Sequence, residues 1–274
     1  MKLLLGSLVA QVNGIEFSLD DGMTSLAGFV TDGHADFVVD AVVGGAPGTE
    51  KPSWEFSPGV VSRDGRQVTF HANGNRAVVD LDARHVDVSL RGPWTVCLDN
   101  ILAPVAQVMS LELRRGAILH SSSVVGEGLA AVFLGRSGAG KTTAGVLARM
   151  AGAELISEEL TYLALEPHGA RLYSLPFRQK NRLTTPVPGA YPLSAFYALQ
   201  QDECDAVEHM SRGEGMRRLL VSAVVGVRDR ALTVPALEVC EALADRVPVR
   251  RLRFRKTPAF WQMVKEDMRA TVMP

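Results

Sequence analysis

The sequence predicts an α/β protein with a mixed sheet, in two parts: a mostly β N-terminal domain over residues 1–100 and an α/β domain over 101–274. Three observations predict it. Residues 60–90 read as short strands of alternating polarity separated by turn residues. From Leu102 onward, apolar runs with helical spacing alternate with strand-like runs. Finally, the stretch Ala131-Val132-Phe133-Leu134-Gly135-Arg136-Ser137-Gly138-Ala139-Gly140-Lys141-Thr142-Thr143 carries an apolar strand into Gly-x-x-x-x-Gly-Lys-Thr and on into a helical pattern. That order is the order of a P-loop.

Composition sets the frame. A chain of 274 residues is long enough for one large domain or two ordinary ones. A formal net charge of −1 gives no reason to expect nucleic acid or an anionic membrane as a partner. Cys97, Cys204 and Cys240 are widely spaced and odd in number, which suggests neither a disulfide framework nor a zinc site. The apolar start Met1 to Leu5 is too short for a signal peptide. No stretch reaches the roughly 20 apolar residues of a spanning helix. A cytoplasmic protein is the expectation.

In the first part, Arg63-Asp64-Gly65-Arg66 is a hairpin-turn signal between Val60-Val61 and Val68-Phe70. Asn73-Gly74-Asn75 leads to a strand at Ala77 to Leu81, and His85 to Leu90 alternates as a half-buried strand does. Together they predict an antiparallel meander. Gly44 to Pro58 reads as an exposed loop, and Asp20-Asp21 as a solvated turn pair before Gly22. His34, His71 and His85 lack metal-ligand spacing.

The second part opens with a helix over 104–113. A strand follows at Gly116 to Val125, then a Gly-Glu-Gly turn at 126–128, the strand at 130–134 and the glycine loop. The helix from Lys141 to Met150 stops at Gly152. Ala153 to Ser157 is the next strand and ends in Glu158-Glu159, after which Leu160 to Leu165 runs on as another. Leu237 to Ala244 is a helix with Cys240 in the core, and Thr257-Pro258 opens a final helix through Met268.

Each residue type in the glycine loop has a mechanical reason to be there. Gly135, Gly138 and Gly140 permit backbone conformations closed to other residues and allow close approach to an anion. Backbone N–H groups and the positive end of the following helix then face nucleotide phosphates. Lys141 reaches the β- and γ-phosphates, and the Thr142 hydroxyl is placed to ligate Mg²⁺. Phosphoryl transfer also needs a carboxylate near the metal and often a second that orients or deprotonates the acceptor hydroxyl. Glu158-Glu159, at the end of a strand close after the loop, fits both needs; a solvated pair is the alternative. His120, on the strand before, reads either as a partner of those carboxylates or as a buried structural histidine.

Leu119-His120-Ser121-Ser122-Ser123-Val124-Val125, then Phe133 to Thr143, then Glu154-Leu155-Ile156-Ser157-Glu158-Glu159 come in one order. Together they resemble the catalytic domain of bacterial HPr serine kinase/phosphorylase and its relatives, whose core is similar to that of phosphoenolpyruvate carboxykinase. The resemblance covers residues 115–165 and weakens toward the C-terminus, while the first 100 residues do not match the N-terminal domain of that family. It implies that Gly135, Arg136, Ser137, Gly138, Ala139, Gly140, Lys141, Thr142 and Thr143 hold ATP or another nucleotide, with Thr142 and Glu159 on Mg²⁺. It also implies that His120 pairs with Glu158 as the base. The departure is Glu-Glu where the family has Asp-Asp. A methylene displaces a carboxylate by about 1 Å, enough to cost ~10²-fold in rate. Either the site has adjusted, or the chain binds nucleotide without efficient transfer.

Arg178, Lys180 and Arg182 lie in a loop where cations would clamp phosphate oxygens of a second substrate or stand solvated. Arg251, Arg253 and Arg255 alternate at strand period and read as a solvated edge strand, with a surface for an acidic protein partner as the alternative. The expected function is an Mg²⁺- and nucleotide-dependent kinase acting on a hydroxyl of a protein, peptide or small molecule. The alternative is a catalytically weakened nucleotide-binding sensor or assembly module. A motor ATPase is disfavoured by the lack of a Leu-Ser-Gly-Gly-Gln-like signature. HPr kinases form hexamers, so a homo-oligomer stays open; nucleic acid and membrane are not expected partners.

Overall fold

The computed structural model describes residues 1–14, 28–44, 60–72, 74–91, 94–177, 183–223 and 230–272. Asp20-Asp21, most of the 44–58 loop and the cations Arg178, Lys180 and Arg182 lie outside the described residues.

The chain is a mixed α/β protein with two sheets. The first contains β1 (Lys2–Leu5), β2 (Leu8–Asn13), β3 (Phe37–Val43), β4 (Val60–Asp64), β5 (Gln67–Ala72), β6 (Asn75–Asp80) and β7 (His85–Leu90). Its order is β1-β2-β3-β7-β6-β5-β4. β4 to β7 form the antiparallel meander that the turn residues predict. β3 pairs in parallel with both β2 and β7, a non-local arrangement that no turn signal announces. Along β2, β6 and β7 buried residues alternate with more exposed ones, as in a sheet with one covered face.

The cover is helix α1, Trp94–Glu112, which begins ten residues before the expected start at 104. Pro104 lies inside it. As a local signal the proline marks a first turn, but residues 101–111 are all buried, and a helix apolar on every side is held by its surroundings. α1 packs on β5, β6 and β7 and, on its other side, on β8 (Gly116–His120). That burial outweighs the roughly 3 kcal/mol an interior proline costs.

The second sheet has nine strands. After β8 come β9 (Ser122–Gly126), β10 (Leu129–Leu134), helix α2 (Lys141–Met150), β11 (Glu154–Ser157), β12 (Leu160–Glu166) and β13 (Gly169–Tyr173). Then follow β14 (Ala190–Gln201), β15 (Ala206–His209), α3 (Arg212–Ser222), α4 (Arg230–Arg246), β16 (Val249–Phe254) and α5 (Phe260–Val272). The main order is β11-β9-β10-β14-β13-β12-β8, with β16 on β14 and β15 on β16.

β14 is the seam. Its first residues pair antiparallel with β13, and its later ones pair in parallel with β10 and β16. β10 is buried on both faces, so it reads as a continuous apolar run. Ala131 and Phe133 join the cluster under α2 and α5. Ala130, Val132 and Leu134 join the cluster on the opposite face, with Leu219 of α3 and Cys240 and Leu243 of α4. Cys240 is core, as expected, and burial pushes its thiol up to about 12.

The stretch read as a solvated edge is corrected. β16 lies between β14 and β15, and its arginines are neutralised at home. Arg251 pairs with Glu208 and Glu214, Arg253 with Asp202 and Glu208, and Arg255 with Asp205. Strand alternation placed the three cations on one face correctly; the acids opposite them come from other segments. Among the described residues no helix is long and apolar enough to cross a membrane.

Candidate functional site

Strand direction gathers one end of the second sheet. β10, β14 and β16 run in parallel, so their C-terminal ends share an edge: Leu134 lies opposite Ala198, and Gln201 opposite Phe254. β9 is antiparallel to both β10 and β11, and it starts where they finish, with Ser122 opposite Phe133 and Ser123 opposite Ser157. His120 ends β8 opposite Leu160, the first residue of β12. Ligand crevices of open α/β sheets form outside the carboxyl ends of parallel strands.

At that edge lies a cleft of about 420 Å³, lined by His120, Ser137, Gly138, Gly140, Lys141, Thr142, Thr143, Glu158, Glu159, Gln201 and Lys256. The candidate catalytic residues named from the sequence, His120, Lys141, Glu158 and Glu159, therefore face one space, and six of the nine loop residues, Lys141 among them, line it. Gly135, Arg136 and Ala139 of the loop are outside its lining.

The loop turns from β10 into α2 through Gly138 (φ 82) and Gly140 (φ 99), the left-handed region open to glycine at no steric cost. A Cβ on Gly140 would also stand 3.3 Å from the Phe254 ring. Gly140 is the N-cap of α2, and no side chain caps that helix. Its first backbone N–H groups are thus left to a ligand or water.

Lys141 is 7% exposed, and its Nζ donates to the carbonyls of Gly135 at 2.9 Å and Arg136 at 3.2 Å. Burial lowers its pKa from the usual 10.5, while the charge of Glu159 acts in the opposite direction. A cation desolvated beside a carboxylate and held by two neutral carbonyls gains from any anion that reaches it. Thr142 is half-buried beside it.

The acidic pair is pinned to the β8–β9 crossover. The Ser121 N–H donates to the Glu159 carbonyl at 3.0 Å, and the Ser122 hydroxyl donates to the Ser157 carbonyl at 2.9 Å. The Ser157 hydroxyl donates to the Leu160 carbonyl at 2.7 Å and accepts from the Glu159 N–H at 3.3 Å. These bonds hold 157–160 as a tight turn against residues 121–122, and so bring Glu158 and Glu159 up beside His120. The three serines are wholly or nearly buried, and each is tied to the neighbouring segment. Glu158 is 3% exposed and accepts the Leu183 N–H at 3.3 Å. Glu159 is half-buried, and His120 is exposed at the cleft wall, which excludes the buried structural histidine that the sequence left open.

Two lining residues escaped the sequence. Gln201 ends β14 and donates from Nε2 to the Gly138 carbonyl at 3.3 Å, bracing the loop. Lys256 follows β16 and adds a second, exposed cation to the cleft. Only the parallel order β10-β14-β16 brings them there. Among the described residues no group of three or more His, Cys, Asp and Glu side chains is arranged to hold a metal by itself. Mg²⁺ in phosphate sites takes one or two protein ligands and leaves the rest to phosphate and water. Thr142 and Glu159 suit that kind of site in their chemistry.

No family model matches the chain. No curated protein matches it either. Among solved structures, the Hpr(Ser) kinase/phosphatase from Coxiella burnetii is similar over 56% of this chain and 94% of that chain, at 10% identity and a TM-score of 0.30. A likeness that weak leaves the function of this chain to its own residues.

Proposed function

We propose that the cleft binds the phosphates of ATP, or of another nucleoside triphosphate, together with Mg²⁺. The chain then transfers a phosphoryl group to a hydroxyl of a protein, peptide or small molecule. What supports the reading best is one convergence: a desolvated lysine and an uncapped helix start meet a histidine and two carboxylates at a single sheet edge. A phosphate loop alone suits any nucleotide binder, whereas transfer to a hydroxyl also needs a base beside it.

In this reading Gly135 to Thr143 form the phosphate-binding loop, and residues 101–274 the nucleotide-binding unit. Lys141 leaves the two carbonyls for phosphate oxygens, so its charge is already desolvated when the anion arrives. Thr142 and Glu159 hold Mg²⁺, which supplies neutralisation of the phosphate charge when bound. His120 and Glu158 orient the acceptor hydroxyl and take its proton. Lys256 lines the same cleft as Lys141 and suits the charge of the transferred group. Arg178, Lys180 and Arg182 remain proposed substrate contacts.

The test is transfer of γ-labelled phosphate from ATP into a lysate, comparing wild type with Lys141→Ala, with and without Mg²⁺. Label that appears only with wild type and Mg²⁺ is the expected result and identifies the acceptor. Equal label with Lys141→Ala would overturn the reading. Tight ATP binding without label would leave the sensor alternative, with Glu158-Glu159 as its cause.

A further inference from the structure

A second concavity of about 280 Å³ opens on the α3 side of the sheet, lined by Gly135, Arg136, Glu214, Arg217, Arg218, Val221 and Ser222. Gly135 and Arg136 are the two residues with which the loop leaves β10, ahead of its turn toward α2 on the other face. The remaining five stand at i, i+3, i+4, i+7 and i+8 along α3, which is one continuous helical face. α3 itself is firmly set: Ser211 caps it by accepting the Glu214 N–H at 3.3 Å, and Gly215, Leu219 and Ser222 are buried beneath it.

Several arginines elsewhere in the chain are paired with acids, while others, such as the exposed Arg76 and Arg84, are not among the described residues. Arg66, Arg114, Arg115, Arg212, Arg251, Arg253, Arg255 and Arg269 each meet a carboxylate. The side chains of Arg136, Arg217 and Arg218 are exposed and form no ion pair or hydrogen bond among the described residues. The one acid beside them, Glu214, already accepts from Arg251 Nη2 at 2.7 Å. Two separate elements thus bring three arginines to the lining of one concavity, whose one carboxylate, Glu214, is already engaged by Arg251. Like charges brought together cost stability unless an anion joins them.

We propose that this groove is a second anion site, separate from the Lys141 cleft, which takes a small molecule bearing a compact, multiply charged oxyanion such as a phosphomonoester. Guanidinium forks match such a group with paired hydrogen bonds. The Ser222 hydroxyl, buried at the floor, adds a neutral partner. The groove shares Gly135 and Arg136 with the phosphate-binding loop, but Lys141, Thr142, Glu158 and Glu159 are not in its lining.

The test is calorimetric or NMR titration of the full chain with O-phospho-L-serine, and in parallel with hexaglutamate. Wild type, Arg217→Gln/Arg218→Gln and Lys141→Ala are compared at low and high salt. The expected result is saturable O-phospho-L-serine binding that Lys141→Ala retains and the double variant weakens by about tenfold or more. Binding should also weaken at high salt, since the cations are exposed. Arg136→Gln, on a different element, should weaken the same binding and covers the case of an unfolded double variant. No binding by wild type, equal binding by all arginine variants, loss in Lys141→Ala alone, or binding of hexaglutamate only would each overturn the proposal.

Discussion

Lys141 concentrates the energetics of the cleft in one side chain. Because burial lowers its pKa below 10.5, the unfolded chain holds that proton more tightly than the folded one. Folding therefore releases the proton more readily, and stability gains from this group as pH rises toward 10.5. Wild type should gain in urea midpoint relative to Lys141→Met over the alkaline range, and parallel curves would contradict the desolvation argument. Gly140 makes a second residue-scale prediction. At φ 99, with the Phe254 ring 3.3 Å from any added Cβ, Gly140→Ala should cost about 1 kcal/mol or more in urea unfolding. It should also weaken nucleotide binding by shifting the first turn of α2. The glycines and Lys141 were legible in the sequence because the loop is a local motif whose spacing is its geometry.

At the scale of elements, α2 sits so close to the sheet that Gly145 touches it. A Cβ there would lie 2.4 Å from Ser122 Oγ and 2.8 Å from Leu155 Cδ1. Gly145→Ala should cost ~1–3 kcal/mol by overpacking, measurable as a lower melting temperature. It should also lower cleft function, because Ser122 is one of the residues that tie down the 157–160 turn. Most of these elements were readable from apolar spacing and turn residues. The start of α1 was not, because burial on both sides overrides the proline signal. Gln201 and Lys256 were not, because their place depends on β14 lying next to β10 and β16 next to β14. Such pairings join segments far apart in sequence and leave no local trace. Arg217 and Arg218 escaped for the same reason, and Arg136 was read only as part of the nucleotide loop: a shared groove is a property of packing.

Across the whole molecule, the two sheets are joined through α1 and through Tyr162 of β12. The Tyr162 ring is fully buried in the cluster that holds Leu3, Leu5, Ile101 and Val105, and its hydroxyl meets Ser110 of α1 at 2.7 Å and Ser7 at 3.0 Å. Tyr162→Phe leaves the buried Ser110 hydroxyl without that partner and should cost ~1–3 kcal/mol. The two sheets should still unfold together; a transition split in two would contradict the shared core. The most direct test of the central claim is calorimetric binding of Mg²⁺–ATP to wild type and to Lys141→Ala. The account predicts saturable binding by wild type that raises its melting temperature, ~2.7 kcal/mol of stabilisation at a hundredfold excess over Kd, with both effects lost in the variant. Equal binding by the two proteins, or none by wild type, would contradict it.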